Sequence, residues 1–131
     1  GLSAALEHAR RLLRPGSRLL VLADPASIAA VPSALWPQLS MHHELVVLLL
    51  TDPLERMPPA ARLTFASSAG GRIELGLDAA GTRQRWRREF VAPVEAALGS
   101  LHARGIRAME LSSADPSDAW LPLLDRKGAL R

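Results

Sequence analysis

Apolar positions in this chain fall into two kinds of pattern, one repeating at helical spacing and the other in short unbroken runs. Leu2, Ala5, Leu6, Ala9, Leu12 and Leu13 recur at helical spacing with Glu7, Arg10, Arg11 and Arg14 between them, and Pro15-Gly16 closes the segment. This predicts an amphipathic helix. Ser17 to Ala23 and Leu45 to Leu50 are continuous apolar runs that stop at Asp24-Pro25 and at Thr51-Asp52-Pro53, as buried strands do. Ile106 to Leu111, running into Ser112-Ser113, predicts a third parallel-type strand. Between the first two, Ser27 to Gln38 predicts helix, with Pro32 tolerable in a first turn and Pro37 forcing a break.

Arg62 to Ala66 and Arg72 to Leu77 instead alternate, and Ser67-Ser68-Ala69-Gly70-Gly71 supplies turn chemistry between them. They predict a hairpin with one wet face. Thr82 is the expected N-cap of a long helix carrying Trp86, Phe90, Val94, Ala97, Leu98 and Leu101 on one stripe, kinked at Pro93 and ended by Gly105. Asp115-Pro116-Ser117 should open a final helix bearing Trp120, Leu121, Leu123 and Leu124. The order of elements predicts one open α/β sheet, its three buried strands parallel, with an antiparallel hairpin added.

Composition narrows the function classes. The 131 residues suffice for one domain, residues 1 to 131, and no apolar run approaches the roughly 18 to 20 residues that span a bilayer. There is no cysteine, which excludes disulfides, thiol nucleophiles and zinc-thiolate sites. The net charge of +3 comes from arginine, with Lys127 the one lysine, a bias that more often reflects a GC-rich bacterial genome than an arginine-reading function. Three Trp, two Phe and no Tyr leave few platforms for stacking bases, so nucleic acid is not the expected partner. The chain opens at Gly1 without methionine or a signal pattern, as a segment of a longer protein would.

Candidate chemistry gathers where the strands end, because open α/β sheets bind ligands outside the carboxyl ends of their strands. Asp24 and Asp52 would share one rim, where two carboxylates either hold a hard divalent cation or cap the turns by which the chain leaves each strand. His42-His43 read as a solvated strand entry, and His8 and His102 as surface positions on helices. No G-x-S-x-G elbow is present, and Gly70-Gly71 lies between strands, where no phosphate loop forms. Arg83, Arg85, Arg87 and Arg88 make the densest charge cluster, either a solvated face or a surface for an anionic partner.

This order of parts resembles the carboxyl-terminal half of the bacterial "domain of unknown function 58" family, which has a von Willebrand factor type A-like fold. The matching pieces are the helix into Arg14-Pro15-Gly16-Ser17, "RLLVLAD", "MHHELVVLLLTDPLERMPP" with its hairpin, and "TRQRWRREF" into "GIRAMELSSADPSDAWLPLL". The most specific is a hydrophobic strand followed by D-P-x-E-x-x-x-P, here Asp52, Pro53, Glu55 and Pro59. The resemblance implies a Rossmann-like three-layer fold and a non-enzymatic interaction domain. Its parent would be a membrane-associated bacterial protein working with a MoxR-type AAA+ ATPase, with this segment soluble and Asp52, Glu55, Arg83 and Arg87 as rim or interaction residues.

It also implies Asp24 as a ligand of a metal-ion-dependent adhesion site. The D-x-S-x-S and threonine loops of that site are not in this chain, so magnesium would bind only where an upstream half supplies them. The strand Arg18 to Ala23 would pair with a first strand that is likewise absent, leaving an apolar edge open to self-association. The competing expectation is a small metal-dependent hydrolase using Asp24, Asp52 and Glu55.

Overall fold

A computed structural model describes residues 1 to 125. Helix α1 (Leu2–Leu12) leads into strand β1 (Arg18–Ala23), and two short helices, α2 (Pro25–Ala29) and α3 (Leu35–Ser40), precede β2 (Glu44–Thr51). The one-turn helix α4 (Pro53–Arg56) then leads to the hairpin β3 (Arg62–Ala66) and β4 (Arg72–Gly76). Helix α5 (Ala80–Trp86) runs through a π turn (Arg87–Val91) into α6 (Ala92–Ala103), and β5 (Arg107–Ser112) and a 3-10 turn (Leu121–Leu124) follow.

The expected parallel sheet forms in the order β1-β2-β5, both pairings parallel. Its centre is β2, with Leu45 through Leu49 all buried. Alternation along the strands separates two faces. Val21, Ala23, Leu45, Val47, Leu49 and Ala108 join one core cluster with Leu6 of α1, Ile28 of α2, Leu35, Trp36 and Leu39 of α3, and Ala97 and Leu101 of α6.

Among the described residues, the side chains of the other face lie outside that cluster. Val46 and Leu48 are buried at the centre of this face, but Leu20, Leu22 and Leu50 are 37%, 53% and 41% exposed. The 3-10 turn reaches this face, where Leu123 accepts a long 3.4 Å hydrogen bond from Arg107. Among the described residues, the clustered helices lie on one side of the sheet, and the second side is partly exposed. The hairpin is not an extension of the sheet but a separate two-stranded one, in register Leu63 to Leu75 and Phe65 to Ile73.

Several local expectations also change. The helical break falls at residues 30 to 34, around Pro32, and Pro37 sits in the first turn of α3, where its missing N–H has no intrahelical acceptor to lose. Helix α5 starts at Ala80 after Ala79, so Thr82 lies inside it and caps nothing. Pro93 produces no sharp break, since the preceding turn widens and the Ala92 N–H bonds the Arg87 carbonyl five residues back. Of the expected final helix, the described residues form the 3-10 turn, with Pro122 in its first turn. Glycine serves as expected at Gly105, whose φ of 72° ends α6.

Candidate functional site

Parallel pairing does bring Asp24 and Asp52 to one rim, since Ala23 aligns with Leu49 and the chain leaves both strands in the same direction. Each carboxylate is nonetheless engaged by its own turn. Asp24 N-caps α2, accepting from the Ser27 N–H at 2.7 Å and the Ser27 hydroxyl at 2.8 Å. The Asp52 carboxylate accepts from the Leu54 N–H at 2.8 Å, and Glu55 reaches back to the Asp52 N–H at 3.4 Å. This is the reciprocal cap that D-P-x-E spells out, with Pro53 in the first turn of α4. The three acids therefore neutralise the orphan donors of two short helices. Among the described residues, no group of three or more His, Cys, Asp or Glu side chains converges on a point where a metal ion could sit.

The Ser27 backbone N–H, and then its hydroxyl, hold the Asp24 carboxyl below its ordinary pKa of 3.8. Because folding lowers this pKa, the stabilisation is full above the ordinary value and disappears as pH falls through the folded one. Asp24→Ala should cost about 1 kcal/mol at neutral pH, the usual loss for an N-cap. Urea unfolding repeated at about pH 3 should show that difference shrinking; a gap independent of pH would show that the charge is not what the cap uses.

The interacting polar cluster at this rim is one that sequence reasoning missed. Thr51, buried at the end of β2, donates to Glu110 of β5 at 2.7 Å. Arg56 of α4 approaches the same Glu110 carboxylate at 3.2 Å and Glu95 of α6 at 3.8 Å. Arg56 thus pairs across elements and not with its neighbour Glu55. The available signal was Glu110 itself, an acid in a partly buried strand beside the central one, where a carboxylate needs a partner. A second network crosses the opposite end of the sheet, where Glu44 of β2 meets Arg18 of β1 at 2.9 Å and Arg107 of β5 at 2.8 Å.

The arginine cluster divides in the structure. Arg83 donates to the Leu77 and Asp78 carbonyls at 3.1 and 2.8 Å, which ties α5 to the end of the hairpin. Arg85, Arg87 and Arg88 are exposed. Between hairpin and helix lies a groove of about 460 Å³ whose walls include Phe65, Ile73, Leu75, Trp86 and Phe90, with Arg85 and Glu89 also lining it. Of the histidines, His8, His42 and His102 are exposed, but His43 is only 7% exposed, its Nδ1 buried without a hydrogen-bond partner. The expected solvated pair is corrected to one solvated and one buried ring, because His43 begins the chain's entry into the central strand.

Compared with known proteins, the chain matches no family model, no curated protein and no solved structure at a significant level. No helix among the described residues is long and apolar enough to cross a membrane.

Proposed function

We propose that this chain is a non-enzymatic protein-interaction domain, a partial Rossmann-like, von Willebrand factor type A-like module. Its parent is a membrane-associated bacterial protein, and its partner a MoxR-type AAA+ ATPase. One observation carries the interaction reading: the acids at the carboxyl rim are spent on capping their own turns, while Leu20, Leu22 and Leu50 stand exposed on a sheet face. The family and the ATPase rest on the motif order, with D-P-x-E as its most specific part. Arg87, outward-facing on the π turn, remains available to a partner, whereas Asp52, Glu55 and Arg83 act inside the fold.

Binding to a purified MoxR-type ATPase, followed by interferometry, should be weakened by Leu50→Glu on the open face and unchanged by Asp52→Asn at the rim. A magnesium titration watched by NMR should leave the amides of Asp24, Asp52 and Glu55 in place. Ion-induced shifts focused on those acids would favour the hydrolase instead, and no binding at high micromolar concentration would remove the ATPase as partner.

A further inference from the structure

Strand β1 forms one edge of the sheet and pairs with no other strand among the described residues. Its ladder with β2 fixes which of its backbone groups are used. The Glu44 N–H bonds the Ser17 carbonyl at 2.9 Å, so the Ser17 carbonyl and both backbone groups of Leu19, Val21 and Ala23 turn toward β2. Arg18, Leu20 and Leu22 therefore point theirs outward. Natural sheets blunt such edges with prolines, lysines, bulges or very short strands, and the six residues RLLVLA have no lysine or proline.

We infer that β1 pairs antiparallel with β1 of a second copy of this chain, about a two-fold axis at Val21, joining two sheets into one. This rests on the reading of the chain as an interaction domain and names a partner for its open side. The register follows from elementary constraints. An outward-pointing residue must face another outward-pointing one to exchange hydrogen bonds, which leaves full pairings among Arg18, Leu20 and Leu22 and adds Asp24 through its N–H, since its carbonyl accepts from the Ile28 N–H at 3.2 Å.

Centring on Val21 sets Leu20 opposite Leu22 of the second copy, and Arg18 opposite Asp24 of the second copy. Symmetry repeats both pairs. Centring on Leu20 would instead oppose Arg18 to a leucine, and centring on Leu22 would oppose Asp24 to one. Opposed residues share a face, so the favoured register also merges the exposed leucines of both copies into one apolar patch. The charges suit the pairing. Arg18 donates to Glu44 through Nε and one terminal nitrogen, and a guanidinium has five N–H donors, so it can still reach a second carboxylate. Asp24, fixed by Ser27 and held anionic, supplies one.

Sedimentation velocity of the full chain at high micromolar concentration should give the mass of two copies. Leu22→Lys, at a position 53% exposed and so tolerable to the monomer, should abolish that species, and Arg18→Glu should weaken it by opposing two acids. With no cysteine in the chain, Val21→Cys gives a clean report of register. Mild oxidation should yield a covalent dimer, because opposed Cβ atoms lie about 5 Å apart, while Leu19→Cys, displaced from the axis, should not crosslink. A wild-type monomer would overturn the pairing, and one whose Leu20 and Leu22 amides resist hydrogen exchange would show a different segment covering the edge. A dimer unaffected by Leu22→Lys would place the interface elsewhere. None of these outcomes touches ATPase binding through Leu50, so the two readings fail separately.

Discussion

Leu49→Ala is expected to lower the free energy of unfolding by about 3 kcal/mol, within the range of about 2 to 5 kcal/mol seen for buried leucine truncations. Leu49 is fully buried in the central strand, flanked in register by Ala23 and Glu110, and belongs to the cluster that joins the sheet to α1, α2, α3 and α6. Removing its side chain loses the transfer free energy of the missing atoms and leaves a cavity that three strands cannot easily close. The neighbouring Leu50 is 41% exposed on the other face, so Leu50→Ala should cost about 1 kcal/mol or less. Urea unfolding followed by circular dichroism measures both. Equal losses would mean that the second face is as thoroughly packed as the first, and the one-sided helical cover described here would be wrong.

Trp86→Ala should be comparably severe, at about 3 to 5 kcal/mol, for a different reason. The indole is 6% exposed and stacks at 5.3 Å from Phe65 of the hairpin and 4.4 Å from Phe90, between ring centroids. Its Nε1–H donates to the Glu55 carbonyl at 2.9 Å. One side chain thus ties together α4, the hairpin and the long helix. A two-stranded hairpin is marginal by itself, so the loss should appear first as faster hydrogen exchange at residues 62 to 66 and 72 to 76, with β2 less affected. Trp86→Phe keeps the ring contacts and should lose about 1 kcal/mol for the missing hydrogen bond. If hairpin and sheet amides accelerated together, the hairpin would be held by more than this aromatic cluster.

Much of the scaffold was legible in the chain because its signals are local. The runs Leu45 to Leu50 and Ile106 to Leu111 appear as strands within a residue or two of their predicted bounds. The alternating segments around Ser67 to Gly71 do form a hairpin. The candidate site was legible only as a location. Asp24 and Asp52 do meet at one rim, but the capping alternative describes what each does there, and D-P-x-E is the sequence of a reciprocal helix cap.

Other features escaped because they depend on distant partners. His43 looked solvated beside His42 until the packing of its surroundings buried it. Arg56 lies next to Glu55 in sequence, yet it binds Glu110, which only the β2 to β5 register brings near. Pro93 announced a distortion without its form, which is a π turn between the buried Trp86 and Val94.

By itself, then, the sequence determined the strand segments, the hairpin turn, the first helix and the long helical segment before β5, and it offered capping as one of two roles for Asp24 and Asp52, since these follow from side-chain periodicity and bonds to near neighbours. Only the tertiary structure decided that the clustered helices gather on one face, that the hairpin stands apart, and that Arg18, Leu20 and Leu22 turn their backbone groups to the outer edge of β1. Those outcomes depend on strand order and register, which are set by contacts between residues far apart along the chain.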